Sequence, residues 1–211
     1  MTNEIPEIPD VPDEIVEAIN NDKLAVFIGA GVSRLKPINC MGWDELASKL
    51  VDCCYNHGII NFREKETICQ FTDHKKIISI CHELLKEKGF EENFFEQLKH
   101  ALKDNEEVAT PNIYDDIKRI RGLFITTNVD RHFDKLFPND KISIVYKETD
   151  FRPDNIDRTK LYHIHGSISD PDSLVFTVQQ YFKRYKHNTD FIEFLKRIFD
   201  EYITFGASLK V

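Results

Sequence analysis

The stretch that most constrains the fold is residues 24–33, LAVFIGAGVS. Its five apolar, β-prone residues end in Gly29-Ala30-Gly31, followed by Val32 and Ser33, which is typical of a buried strand turning tightly into a helix. Glycines suit such a turn because a Cβ would hold the backbone away from a bound pyrophosphate, and N–H groups at a helix N-terminus favour phosphate. Arg34 stands where the dinucleotide-binding fingerprint has its third glycine, so a strand with a merely tight turn is an equal alternative.

Further apolar runs recur along the chain and alternate with helical patterns. Strands are predicted at residues 24–28, 122–126, 142–146, 161–164, 174–176 and 202–205. Helices are predicted at residues 13–20, 178–185 and 190–199, among others. Such alternation indicates an α/β fold with a doubly wound, mostly parallel, Rossmann-like sheet. Residues 61–105 have helical periodicity without strands, which predicts a small helical module inserted into a domain of residues 13–211, after a flexible lead-in of residues 1–12.

Composition narrows the classes of protein. The net charge of −8 leaves no basic surface for nucleic acid or anionic lipid. The chain has no amino-terminal signal pattern and no apolar run long enough to span a bilayer. We therefore expect a cytoplasmic protein that binds neither nucleic acid directly nor a membrane.

The cysteines argue against a metal centre. The chain has five, which form no C-x-x-C pair and none of which lies in the second half: Cys40, Cys53, Cys54, Cys69 and Cys81. Irregular spacing and an odd number fit reduced thiols packed as small hydrophobic side chains. The sequence therefore predicts no zinc site and no bound metal.

Small and polar residues follow four of the predicted strands, each directly after the strand ends. These clusters are residues 29–33, 127–130, 165–167 and 206–208. Ligands of open parallel sheets bind at this carboxyl edge, so we expect the clusters to converge on one site. Taken singly, some have a structural alternative, since Asn128 and Asp130 could cap a helix and His165 could serve packing. Trp43, which opens the next predicted helix, could be a pocket wall or a core anchor.

In order and spacing, GAGVS (29–33), TNVD (127–130), HIHGS (163–167) and GASL (206–209) resemble the motifs of the sirtuin (silent information regulator-like) family over roughly residues 15–211. The resemblance implies NAD as the bound molecule and Asn128 and His165 as catalytic residues. It also implies an NAD-binding set of Gly29, Ala30, Gly31, Val32, Ser33, Thr127, Asp130, Gly206 and Ser208.

The resemblance also implies a role for each group. Asn128 would hold an attacking water and the ribose hydroxyls, and His165 would act as general base. Asp130 would bind the nicotinamide carboxamide, the glycine turn the diphosphate, and residues 206–208 the adenosine ribose. His163 lies two residues before His165, so on a strand it would point to the same face and could line the site, but we expect a buried structural role.

Departures from the family deacetylases favour a different activity. The Gly-Ile-Pro-Asp-Phe-Arg segment is absent after the first motif, Thr127 replaces glutamine, and no cysteine follows Cys81 to supply zinc pairs. Residues 31–43, 110–128 and 176–181 instead resemble the zinc-free branch found in bacterial antiphage defence proteins. That branch implies an NAD+ hydrolase (NADase) giving ADP-ribose and nicotinamide, the toxic effector of an abortive-infection system. The alternatives are an NAD-dependent protein deacylase and a non-catalytic module that binds NAD or ADP-ribose.

The last residues, GASLKV, carry a further expectation. A doubly wound domain normally continues into another strand and covering helix, so we expect this domain to be incomplete at its C-terminus. The resemblance implies that homo-oligomerisation, a C-terminal sensor domain or a partner protein controls the activity.

Overall fold

The computed structural model describes residues 10–107, 109–137 and 142–207. Within these residues, five strands form one parallel sheet in the order β3-β4-β2-β1-β5. The strands are β1 (Leu24–Ile28), β2 (Leu123–Thr126), β3 (Ser143–Val145), β4 (Lys160–His163) and β5 (Ile203–Ala207). The predicted mixed α/β fold with a parallel, Rossmann-like sheet is confirmed.

The described helices lie before β1, between β1 and β2, or between β4 and β5 in the sequence. They are α1 (Asp13–Asn20), α2 (Ala30–Ser33), α3 (Trp43–Asn56), α4 (Phe62–Cys69), α5 (His74–Glu87), α6 (Glu91–Ala101), α7 (Ile113–Arg119), α8 (Val178–Phe182) and α9 (Thr189–Glu201). A 3-10 turn, Asp134–Leu136, follows β2, and a π-helical turn, Lys183–His187, continues α8.

Helices cover both faces of the sheet, which is why its strands are nearly continuous apolar runs. On β1, Leu24 and Val26 face the side packed by α1 and α7, whereas Ala25 faces the side packed by α9. Phe191 and Phe194 of α9 are fully buried there. The alternation along one strand therefore separates two cores, one on each face.

A third core lies among helices α3–α6, the stretch that includes the predicted helical module. This core also contains Val129, Ile168, Leu174 and Phe176 from the loops that follow β2 and β4. The module therefore packs over the carboxyl edge of the sheet, where the polar clusters were predicted.

The predicted strand at residues 174–176 is wrong, because this segment has no regular secondary structure. Gly166 has a φ of +83°, and a Cβ there would lie 2.2 Å from the Ser173 carbonyl oxygen, so the chain folds back on itself at this glycine. Val175 then donates from its backbone nitrogen to the His165 carbonyl (2.9 Å). The apolar residues 174–176 are thus buried by loop packing rather than by strand pairing.

The lead-in of residues 1–12 falls mostly outside the described residues, as does Ser208. Four cysteines are buried and Cys69 is exposed, all as free thiols. Across the described ranges, no helix is long and apolar enough to cross a membrane, and no group of three His, Cys, Asp or Glu side chains is placed to hold a metal ion.

Candidate active site

A cavity of about 590 Å³ opens at the carboxyl edge of the sheet, between the loops after β1, β2 and β4 and the helical module. Most of the predicted site residues line it together: Gly29, Ala30, Gly31, Ser33, Thr127, Asn128, Asp130 and His165. Trp43 is also a wall of the cavity, and its ring packs on that of Phe176 at 5.1 Å between centroids. Residues separated by more than 130 positions therefore share one site.

Two residues of the predicted NAD-binding set do not line the cavity, and a third is outside the described residues. Val32 is buried in the core on one face of the sheet. Gly206 lies in the exposed strand β5 and does not line the cavity. Ser208 is outside the described residues.

The Asn128 side chain has a defined orientation. Its Nδ2 lies 3.0 Å from both Ser33 Oγ and Tyr114 OH and 3.2 Å from the Gly29 carbonyl oxygen. Because a carbonyl only accepts hydrogen bonds, the nitrogen rather than the oxygen of the amide must face Gly29. The buried Oδ1 has no hydrogen-bond partner among the described residues. An unpaired acceptor costs free energy, and a donor on a bound molecule would recover it.

Beneath Asn128 the hydroxyls form a directed chain. Ser33 donates to Asp130 Oδ2 at 2.7 Å, so Tyr114, 2.7 Å from Ser33 Oγ, must donate to the serine. Asp130 Oδ1 accepts from the His132 backbone nitrogen at 3.2 Å. Burial raises the pKa of Asp130, and burial together with the Asp130 charge raises the pKa of Tyr114. The tyrosine therefore stays a neutral donor at one end, with the carboxyl group as acceptor at the other.

His163 does not line the cavity and is 1% exposed. Its Nδ1 lies 2.8 Å from the Asn128 carbonyl oxygen and its Nε2 lies 2.8 Å from Asp134 Oδ1. Burial alone would lower the pKa of His163, but the Asp134 carboxylate and these hydrogen bonds raise it above the ordinary value. His163 therefore supports Asn128 from behind rather than facing a ligand.

His165 has a different environment. Its Nε2 lies 2.7 Å from Tyr185 OH and its Nδ1 lies 3.5 Å from Tyr181 OH, and both tyrosine rings meet the imidazole edge to face. Burial, followed by the charges of Lys75 and Arg184, lowers the pKa of His165 to about 4. The imidazole is therefore neutral at pH 7 and able to accept a proton.

Sequence reasoning assigned no role to several residues that contribute to the site. Tyr114 comes from α7, Lys75 from α5, and Tyr185 from the π-helical turn after α8. The buried Arg184 donates to the Ile164 carbonyl at 2.9 Å, next to His165. These residues are scattered in sequence and carry no spacing signal. Tyr114 and Tyr181 lie within segments that the family resemblance had marked, but neither had been given a role.

Cys40 also lines the cavity, so its chemistry bears on the reaction class. Its Sγ donates to the Leu102 carbonyl at 3.3 Å, and burial raises the pKa of the thiol to about 12. A protonated thiol is a poor nucleophile at neutral pH. The site therefore favours chemistry that uses water rather than a cysteine nucleophile.

Fold and site together define an α/β protein with its cavity at the carboxyl ends of parallel strands, the usual place for nucleotides in such sheets. Residues 122–210 match the family model of the SIR2-like domain. The matched segment is under half of the chain; it includes Asn128, Asp130 and His165 but not the glycine turn. SIR2-like domains use NAD, so the match supports a sirtuin-like chain with an NAD-related activity. Comparison with curated proteins finds no match.

Proposed function

We propose that this chain is an NAD+ glycohydrolase domain that converts NAD+ and water into ADP-ribose, nicotinamide and a proton. The observation that carries the proposal is that Asn128 and His165 line one cavity with the glycine turn of residues 29–31. Val32 donates to the Gly29 carbonyl at 3.0 Å, but the earlier N–H groups of α2, at Ala30 and Gly31, have no carbonyl one turn back within that helix. They would bind the diphosphate, which places the nicotinamide–ribose bond beside the two side chains.

Asn128 would supply the positioning. Cleavage of a glycosidic bond to a cationic leaving group passes through an oxocarbenium-like state, which depends on orientation and charge stabilisation more than on a strong nucleophile. With Nδ2 held by Ser33 and Tyr114, the unpaired Oδ1 is left to accept a hydrogen bond from a ribose hydroxyl or from the attacking water. Asp130, at the same edge, would accept from the nicotinamide carboxamide.

His165 would take the proton that the water releases. Its pKa of about 4 keeps the imidazole neutral at pH 7, as a base requires, although it makes that base a weak one. A weak base suffices when the carbon under attack is already electron-deficient. The reaction balances as C–N cleavage, C–O formation and transfer of one proton to His165.

The deacylase alternative requires an acyl-lysine to reach the ribose beside His165. Tyr181 and Tyr185 cover this imidazole, with one phenol near each ring nitrogen. An acyl-lysine would have to displace these rings, whereas a water molecule would have to replace only one contact between a phenol and the imidazole. The tyrosines thus support hydrolysis over deacylation.

The test is a nicotinamide-release assay with NAD+ on the purified chain. Asn128→Ala and His165→Ala should each lower kcat by about 10²-fold or more. Asn105→Ala and His100→Ala remove the same residue types at exposed positions and should leave kcat unchanged. Release that persists in Asn128→Ala would contradict the proposal. Release that requires an acetylated peptide would identify a deacylase, and NAD binding without any release would identify a non-catalytic module.

We further infer that NAD consumption is the effector step of an antiphage defence system, controlled by self-association or by a partner. This rests on the resemblance to the zinc-free defence branch. Cells expressing the wild-type chain should lose NAD after phage infection, and cells expressing Asn128→Ala should not. Equal NAD levels in the two strains after infection would contradict the inference.

A further inference from the structure

His163 lies between two groups that can only accept hydrogen bonds. The Asn128 backbone carbonyl is 2.8 Å from Nδ1, and the Asp134 carboxylate is 2.8 Å from Nε2. A neutral imidazole carries one N–H, so it can satisfy only one of these acceptors. Only the doubly protonated ring donates to both.

The surroundings make this charge state the favourable one. His163 is 1% exposed and the Asp134 side chain 14% exposed, so little water is available to replace a missing donor. Removing one member of a buried pair is costly because the other is left without compensation. Among the described residues, Asp130 also acts on His163, and its negative charge favours the protonated ring.

The pair also acts on the residue at the centre of the site. The Asn128 backbone nitrogen donates to Thr126 Oγ1 at 2.9 Å, and its side-chain nitrogen is held by Ser33 and Tyr114. The carbonyl oxygen is the remaining polar group of the Asn128 backbone, and His163 binds it. The imidazole therefore supplies the hydrogen bond that fixes the carbonyl end of the Asn128 backbone.

We propose that His163 and Asp134 form a buried ion pair whose imidazolium holds the Asn128 backbone, which makes His163 a positioning residue for the reaction. This inference rests on the proposed function for the role of Asn128, whereas the charge state of His163 does not. When the pH rises through the pKa of His163, which lies above the ordinary 6.5, the ring loses one N–H and one acceptor loses its donor. The kcat should therefore fall on the alkaline side.

The charge state is measured by NMR on the chain labelled with [15N]histidine. At pH 7 the His163 signal, assigned by its loss in His163→Gln, should show both ring nitrogens protonated. In Asp134→Asn the same ring should become a neutral tautomer, and in the control Asp116→Asn, an exposed carboxylate in α7, it should not change. A neutral His163 in the wild-type chain at pH 7 would overturn the inference while leaving the proposed function untouched.

The positioning role is measured by kinetics. His163→Gln should lower kcat by about tenfold or more with little change in KM, because a small misplacement of a reacting group is costly. His163→Lys keeps a cation with several donors to a much higher pH, so it should recover activity and move the alkaline limb of kcat upward. If His163→Gln does not fold, the wild-type pH profile and Asp134→Asn carry the test.

A wild-type kcat in Asp134→Asn, or no alkaline limb in the wild type, would overturn the positioning role. If the wild-type chain releases no nicotinamide, the proposed function fails and the Asn128 side-chain amide signals become the readout. These signals should shift in Asp134→Asn, and unchanged signals would overturn the inference.

Discussion

Two histidines lie two residues apart at the end of one strand, yet they have opposite environments. His163 is held between a carboxylate and a carbonyl, and its pKa is raised. His165 is enclosed by two tyrosine rings near two cations, and its pKa is lowered to about 4. Both imidazoles are buried, but the carboxylate beside His163 raises the pKa of that ring, whereas burial and nearby cations lower the pKa of His165.

The divergence has a local cause. Strand β4 ends at His163, and residues 164 and 165 form a turn. The rule that alternate residues share a face of a strand therefore stops applying between the two histidines. His163 points toward the 3-10 turn after β2, whereas His165 points toward the helical segment of residues 178–187.

The largest effect expected from this contrast is a loss of folding stability at acidic pH, because His165 resists protonation in the folded chain. Its pKa is near 6.5 in the unfolded chain and about 4 in the folded one, so between these pH values the unfolded chain binds more protons. Stability from the neutral ring is complete above about pH 6.5 and is lost as the pH falls toward 4. The loss should be about 3 kcal/mol in the free energy of unfolding.

Urea denaturation of the wild-type chain and His165→Asn, repeated from pH 7.5 to 4, measures this loss. Asparagine does not titrate, so the gap between the two chains should stay constant above pH 6.5 and shrink below it. A gap that stays constant down to pH 4 would show that His165 is not desolvated as described.

The apolar runs locate three of the four polar clusters at one edge of the sheet, because the ends of parallel strands must meet. In the fourth cluster, Gly206 lies within β5 and does not line the cavity, and Ser208 is outside the described residues. The assignment of catalysis to His165 and not to His163 came from the family resemblance, because which imidazole faces the cavity depends on where β4 stops. Sequence reasoning also missed Tyr114 and Lys75, which reach the site from helices in other layers. The strand predicted at residues 174–176 is wrong because an apolar segment can also be buried by loop packing.

A second prediction concerns the buried hydrogen bonds beneath Asn128, where Ser33 joins Tyr114 to Asp130. Ser33→Ala removes a 2.7 Å hydrogen bond to each, so the buried Tyr114 hydroxyl loses its acceptor and Asp130 Oδ2 loses its donor. We expect the free energy of unfolding to fall by about 2 kcal/mol, and nicotinamide release to fall because Asn128 loses an acceptor. Ser48→Ala, at an exposed position of α3, should change stability by no more than about 0.5 kcal/mol. Equal losses in the two variants would mean that the buried chain of hydroxyls contributes nothing specific.

The smallest expected effect comes from Lys75, an exposed residue of α5 whose ammonium lies 4.3 Å from the centre of the Tyr181 ring at the cavity wall. Its charge lowers the pKa of His165, so Lys75→Met should raise that pKa toward the ordinary value, as seen by NMR titration. It should also raise KM for NAD+ by about threefold, since an exposed cation contributes less than about 1 kcal/mol to binding an anion.

Lys76→Met is the matched control for this last effect, because the Lys76 ammonium lies over Phe71 and the residue does not line the cavity. A change confined to Lys75→Met would show that the helical module contributes charge to the site as well as a wall. If both variants shift the pKa of His165 equally, the influence is the general field of the module. The contrast between the two histidines would then be due to burial and to Asp134, with no part played by a cation at the cavity wall.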